Sequence, residues 1–352
     1  MTSQTFNILD RKVGAGEPPY LIAEMSANHN GSLERALRIV DEAARAGADA
    51  IKLQTYTADT MTLKVDAPGF VIDDPDSLWH GRHLYDLYED AHTPWDWHEP
   101  IINHARALGL ACFSSTFDET AVDFLESLGV PAYKIASFEL VDLPLVRKVA
   151  ATGKPMIMST GMASLAEIDE AVRAARDAGN RSIVLLKCTS TYPASPEHTN
   201  IATIPHLRQA FGTMVGLSDH TMGCGVSVAA VALGAVLIEK HFTLARADGG
   251  VDSTFSMEPH ELRQLREEAD RAALAVGNVT YGGGASERTS KSHRRSLYIT
   301  RDLAAGETID QSAIRAIRPG HGLPPKFLDT LIGKTVKRDV GRGTPVTWDL
   351  LA

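Results

Sequence analysis

The chain has 352 residues, 44% of them hydrophobic and 22% charged, a composition of folded globular proteins that excludes a disordered chain. Its formal net charge of −9 repels nucleic acid and anionic lipid, so neither is an expected partner. No apolar run approaches the roughly 18 residues of a membrane span, and the opening M-T-S-Q-T-F-N lacks a basic-then-apolar leader, so a soluble cytoplasmic protein is expected.

Length favours two domains or a large barrel with an appendage, because single cores stop growing near roughly 250–300 residues. Cys112, Cys188 and Cys224 lie far apart with no C-x-x-C pair. That pattern predicts three buried apolar thiols rather than disulfides or a thiolate metal site.

Runs rich in β-formers alternate with helical stretches, starting with Y-L-I-A-E-M-S-A-N at 20–28. Further strands are expected at 48–56, 110–117, 132–140, 155–162, 182–190, 214–221 and 235–243, each with a helix-compatible segment behind it. Eight strand–helix units in about 260 residues predict a (β/α)8 TIM barrel. An open doubly wound sheet is the alternative. It is disfavoured because no G-x-G-x-x-G follows the first strand and polar residues gather at the ends of nearly all eight. Residues 57–96 make a long insertion in the second unit, read either as a lid or substrate wall or as a packed surface excursion. A Gly- and Ser-rich linker at 281–293 then separates a barrel domain, 1–280, from a small, mostly β domain, 294–352. Strands are expected there at 296–300, 335–338 and 344–348, with no major helix.

Chemistry concentrates at the strand ends. His220 shares parity with Gly216 and Ser218, and His241 with Glu239, so two imidazoles point inward from neighbouring strands. Such a pair suits a divalent metal that keeps open positions for water or substrate; the alternative is two hydrogen-bonded structural histidines. Lys52 and Lys134, with Ser115, Ser137, Ser159 and Ser218, suit a phosphate or carboxylate, or else pair with rim carboxylates. Lys240 fits this set least, since its parity points outward. Glu24, Glu139, Asp219 and Asp252 are candidates for proton transfer or for gripping hydroxyls, and Asp219 is equally placed to orient its neighbouring imidazole. Residue types alone predict a metal-assisted barrel enzyme acting on a small anionic substrate. They leave open a Schiff-base aldolase on one of the same lysines.

A series of ordered motifs adds a resemblance: A-E-M-S-A-N-H-N-G (23–31), K-L-Q-T-Y (52–56), F-S-S-T-F-D (113–118), K-I-A-S-F-E (134–139), S-T-G-M-A (159–163), K-C-T-S-T-Y-P (187–193), G-L-S-D-H-T (216–221), I-E-K-H-F-T (238–243) and R-R-S (294–296). Together they resemble the sialic acid synthases, which condense phosphoenolpyruvate with an amino sugar. The family pairs a (β/α)8 barrel with a small C-terminal domain similar to type III antifreeze proteins, the SAF domain. Met25, Ser26 and Ala27 depart from the family's usual glycine and valine or isoleucine. They and the insertion resemble the pseudaminic-acid-forming branch, whose sugar is 2,4-diacetamido-2,4,6-trideoxy-L-altrose.

The resemblance implies a divalent cation on His220 and His241, Mn²⁺ first, with Mg²⁺ or Co²⁺ as alternatives. It implies phosphoenolpyruvate on Lys52, Ser115, Lys134, Ser137, Ser159, Ser190 and Ser218. Glu24 and Glu139 would handle protons or sugar hydroxyls, and Gln54, Tyr192 and Asp252 would line the sugar side. Arg318 would reach the partner's sugar in a domain-swapped homodimer. A fully alternating strand would not point both Lys134 and Ser137 inward, so a bulge or the strand's end must re-aim one of them.

Overall fold

The computed structural model describes residues 5–75 and 77–352. A short hairpin of β1 (Thr5–Ile8) and β2 (Arg11–Gly14) precedes the barrel strands. These are β3 (Tyr20–Glu24), β4 (Ala50–Thr55), β5 (Ala111–Thr116), β6 (Tyr133–Ile135), β7 (Met156–Ser159), β8 (Ile183–Cys188), β9 (Met214–Ser218) and β10 (Leu237–His241). All pair in parallel, in the order β10-β3-β4-β5-β6-β7-β8-β9, and β10 closes the barrel against β3 with Leu237 opposite Tyr20 and His241 opposite Glu24. The strands are buried on both faces, as parallel barrel strands are, because the inner face fills the barrel and the outer face meets helices.

The helices are α1 (Leu33–Ala46), α2 (Ala58–Met61), α3 (Leu84–Ala91), α4 (His98–Ala107), α5 (Glu119–Ser127), α6 (Leu143–Ala151), α7 (Leu165–Asp177), α8 (Thr203–Phe211), α9 (Gly225–Ala232) and α10 (Pro259–Val276). Local chemistry sets their ends. The Ser32 hydroxyl accepts the Arg35 N–H at the start of α1, and Gly47 takes a left-handed φ of 88° after it. Ser164 and Glu167 form a reciprocal capping box on α7.

All eight expected strands are present, but most stop short of the expected C-terminal ends. After Glu24 the Met25 N–H turns to the Lys52 carbonyl, and Ser26–His29 winds into a 3-10 turn. Expected strand 132–140 ends at Ile135, so Lys134 points inward from the strand while Ser137 is aimed by the loop beyond it. The strand's end, not a bulge, therefore does the re-aiming. The β1–β2 hairpin was not expected from the sequence. It closes the N-terminal end of the barrel, where Ile8 and Val13 are buried and Arg11 pairs with Asp49 at 2.8 Å.

The described residues of the insertion form a wall. Val71 bridges His83 in antiparallel fashion, the Ile72 N–H donates to the Arg82 carbonyl at 2.9 Å, and α3 follows. The Trp79 indole N–H donates to the Val251 carbonyl at 3.2 Å, tying the insertion to the loop after β10.

The chain divides into two compact units, Met1–Gly277 and Asn278–Ala352. The second has its own core, including Leu297, Ile309, Leu331 and Val346. It contains α11 (Arg288–Lys291), an antiparallel pair of β11 (Ser296–Ile299) and β12 (Ile314–Ile317), and α12 (Leu328–Leu331). Of the three strands expected here, only the first forms. Thr335, Val336 and Pro345 make single bridges instead, and the partner strand β12 is half exposed and lacks the clean alternation that marks a strand in sequence.

Candidate active site

Four buried charges meet where the barrel strands end. Lys52 Nζ lies 2.6 Å from Glu24 Oε2 and 3.2 Å from Glu239 Oε1, and Lys134 Nζ is 3.9 Å from the same Glu239 oxygen. Lys52 also donates to Ser115 Oγ at 3.2 Å, Ser218 Oγ donates to Glu239 Oε1 at 3.1 Å, and Gln54 Nε2 donates to Glu24 Oε1 at 3.2 Å. Barrel closure makes this possible, because β10 lies against β3 and so puts Glu239 within reach of Lys52 on β4.

The electrostatics are asymmetric. Burial, opposed by Lys52 and reinforced by Glu239, pushes Glu24 up to about 7. Burial also acts on Glu239, yet the lysines on either side outweigh it and hold that carboxylate below its usual value. Lys52 is likewise buried, but Glu239 and Glu24 keep its ammonium above its usual value, whereas burial pulls Lys134 down. With two ammonium groups against one firmly ionised carboxylate, the cluster carries positive charge when Glu24 holds its proton. That suits an anion. Glu239 was noted in the sequence only for its parity with His241; the parity was the signal for its place here.

Next to the cluster is a hydroxyl cradle. Gly161 N–H donates to Ser137 Oγ at 3.2 Å, and the buried Ser159 Oγ has no protein partner. A Cβ on Gly161 would lie 2.2 Å from Ser190 Oγ and 2.8 Å from Ser137 Oγ. The glycine therefore keeps both hydroxyls close to its own N–H, a role no sequence pattern had marked. The proton of Ser218 is committed to Glu239, so this hydroxyl supports the cluster.

The two histidines expected to pair do so, with ring centres 5.3 Å apart. His220 Nδ1 bonds the Thr189 carbonyl at 2.9 Å, and the ring also hydrogen-bonds Cys188; against burial, these bonds hold the imidazole above its usual value. His241 Nδ1 is buried with no hydrogen-bond partner and lies 3.8 Å from Asp252 Oδ2. Burial, His220 and the lysines hold His241 neutral, well below the usual imidazole range. Imidazole nitrogens bind divalent ions at about 2.0–2.1 Å, and the ring separation leaves room for one ion between them. The residues present therefore fit a divalent cation on two imidazoles once His220 gives up its bond to Cys188. Among the described residues no group of three His, Cys, Asp or Glu is placed to hold one, so water and substrate would complete the shell.

Cys188 departs from its expected inert role. It ends β8 with its sulfur 3.7 Å from Ser190 Oγ, and although burial raises the thiol, hydrogen bonds from His220, Ser137 and Ser190 draw it down to about 6. Cys112 is buried as expected, while Cys224 is half-buried.

A cavity of about 500 Å³ opens from His241. Ser26, Gln54, Glu139, Tyr192 and Asp252 line its polar side, with the Ser26 hydroxyl donating to Asp252. Burial pushes Glu139 up to about 7. Tyr192 packs on His220 and Phe255 at ring distances of 4.3 and 5.3 Å. The opposite wall comes largely from the insertion, with Ile72, Trp79, Leu84, Leu87 and Tyr88. The expected barrel residues thus reach one region, except Asp219, which turns to the outer face and pairs with Lys240. Arg318 lies in the C-terminal unit, where it lines a shallow pocket with Arg295 and Arg315.

The cradle generates a test. Gly161→Ala places a methyl against two side-chain hydroxyls that can rotate, so the melting temperature should hold while KM for the anionic substrate rises about tenfold or more, as expected for ångström-scale misplacement. An unchanged KM in steady-state kinetics would remove the cradle from the site.

Comparison with known proteins agrees with this geometry. The chain is 42% identical to a pseudaminic acid synthase of Campylobacter jejuni over 324 residues, covering 92% of this chain and 94% of that one. It is 40% identical to a pseudaminic acid synthase of Helicobacter pylori, covering 95% and 98%. The crystal structure of an N-acetylneuraminic acid synthetase from Leptospira borgpetersenii superposes with a TM-score of 0.73 at 31% identity, covering 82% of this chain and 95% of that one. The SAF domain model matches residues 294–352. With the NeuB family model matching residues 39–281, the chain belongs to the NeuB family.

Proposed function

We propose that the protein condenses phosphoenolpyruvate with 2,4-diacetamido-2,4,6-trideoxy-L-altrose, giving pseudaminic acid and phosphate. The observation that carries the reading is a buried cationic cluster beside an imidazole pair, opening into a cavity that is polar on one side and apolar on the other. The two Campylobacter and Helicobacter relatives, named for pseudaminic acid synthesis, support the choice of sugar. So does the insertion wall, since Ile72, Leu84 and Leu87 offer no partner to a hydroxyl and suit methyl groups.

Lys52 and Lys134 hold the anionic groups of phosphoenolpyruvate, with Ser137, Ser159 and Ser190 as donors. The open-chain sugar lies in the cavity with its aldehyde toward His220 and His241. A divalent cation on those imidazoles, Mn²⁺ in the first instance, supplies Lewis-acid polarisation of the aldehyde oxygen. The C2=C3 electron pair of phosphoenolpyruvate forms the new bond from C3 to the aldehyde carbon, and positive charge develops at C2. Water adds at C2 and loses a proton. The resulting tetrahedral centre breaks its C–O bond to phosphate, which leaves with the bonding electrons. Glu24 and Glu139, both near 7, are poised to accept and return protons at neutral pH, and Gln54, Tyr192 and Asp252 hold the sugar.

A Schiff-base aldolase draws on one observation, the lowered ammonium of buried Lys134. Borohydride trapping with pyruvate tests it. Among the described residues no helix is long and apolar enough to cross a membrane, and we assign the reaction to the cytoplasm.

Phosphate release from phosphoenolpyruvate should require the diacetamido-trideoxy-altrose, cease on metal removal and return with Mn²⁺. Release with N-acetylmannosamine or the legionaminic acid precursor instead would move the substrate. Release with no sugar, or full activity in metal-stripped enzyme, would contradict the mechanism. The reading includes a homodimer in which Arg318 serves the partner's site, so mixing inactive Arg318→Ala and His220→Ala chains should restore activity; no recovery would mean sites built within one chain.

A further inference from the structure

Behind the imidazole pair, on the outer face of the barrel, is a buried ion pair that the reaction does not use. Lys240 points outward from β10 between Glu239 and His241 and is 1% exposed. Its Nζ lies 3.3 Å from Asp219 Oδ2 and donates to the Thr221 carbonyl. Asp219 Oδ1 accepts the Thr221 N–H at 2.9 Å and the Thr221 hydroxyl at 2.8 Å, and Oδ2 accepts the Ser227 hydroxyl of α9 at 2.6 Å.

Asp219 and Thr221 flank His220, and Lys240 directly precedes His241. One cation thus joins the two chain segments that carry the imidazoles. The β9–β10 ladder pairs Ile238 with Leu217 and Glu239 with Ser218, and ends with the Asp219 N–H on the Glu239 carbonyl at 3.0 Å. Beyond that bond the turn bearing His220 has left the sheet. On the β8 side it is held by the Ala194 N–H on the His220 carbonyl at 3.0 Å and by the Thr189 carbonyl on the ring. On the β10 side, Lys240 holds it.

A buried ion pair loses several kcal/mol per ion in desolvation, and well-packed apolar residues in its place are often as stable. Stability alone therefore does not account for a lysine and an aspartate here. We propose that the Lys240–Asp219 clamp is a positioning device that fixes the separation of His220 and His241 and so sets the affinity of the divalent-cation site. The inference rests on the metal reading given under Proposed function.

The test is Mn²⁺ binding to substrate-free full-length protein, followed by electron paramagnetic resonance of the free ion. Wild type, Lys240→Met and Ser227→Ala are compared, with thermal melting of each metal-free form. Lys240→Met should raise the Mn²⁺ dissociation constant about 10- to 100-fold, the usual effect of removing a group that orients metal ligands. Ser227→Ala, which keeps the ion pair and loses one hydrogen bond, should raise it by a smaller factor and decides the matter if Lys240→Met fails to fold. At saturating Mn²⁺ the KM for phosphoenolpyruvate should stay unchanged in both. Wild-type Mn²⁺ affinity in the folded variants, with only a lower melting temperature, would reduce the clamp to a stabilising pair and overturn the inference. Wild-type protein that binds no Mn²⁺, or binds it as well after His241→Ala, would overturn the metal reading itself.

Discussion

Burying Lys52, Lys134, Glu24 and Glu239 together is the constraint on which the site depends. Each ion loses several kcal/mol of hydration, and only mutual pairing at 2.6 to 3.9 Å offsets that loss. Pairing demands that the barrel close, because Glu239 comes from the last strand while Glu24 and Lys52 come from the first two. The cluster therefore links barrel closure to the site's chemistry. Its positive imbalance when Glu24 holds a proton gives an anion a reason to enter, and the hydroxyls around Gly161 give it donors.

From that base the site is layered outward. The imidazole pair stands beside the cluster, with His241 kept neutral and short of a partner. Beyond it the cavity separates polar from apolar surface, which suits the hydroxyls and methyl groups of the proposed sugar. The insertion supplies the apolar wall, held in place by the Trp79 bond to Val251. Gly216 makes the layering possible on the barrel side: a Cβ there would stand 2.3 Å from the Leu237 carbonyl, where β9 and β10 approach.

Much of this was legible in the sequence, for physical reasons that differ by residue. Barrel strands are apolar on both faces, so their runs stand out against amphipathic helices; inward parity marks His241, and a cationic residue type on a strand marks Lys52. Strand ends were less legible, because Ser26, Ser137 and His220 continue a plausible alternation after the backbone has turned away. The hairpin of β1 and β2 is too short to show a period, and β12 is too exposed to show one. Glu239 was visible only as parity, since its role comes from partners on β4, β6 and β9. Cys188 looked like any apolar thiol until the fold set His220 and Ser190 beside it. The sugar was read by resemblance, not from residue spacing.

The most direct test of the cluster as an anion site is calorimetric titration of phosphoenolpyruvate into metal-free protein, comparing wild type with Lys134→Met. Metal-free conditions isolate the lysines from any bound cation. Binding by wild type, weakened about tenfold or more in Lys134→Met by loss of a charge-assisted hydrogen bond, is the predicted result. Equal affinity in a folded Lys134→Met protein would contradict the account.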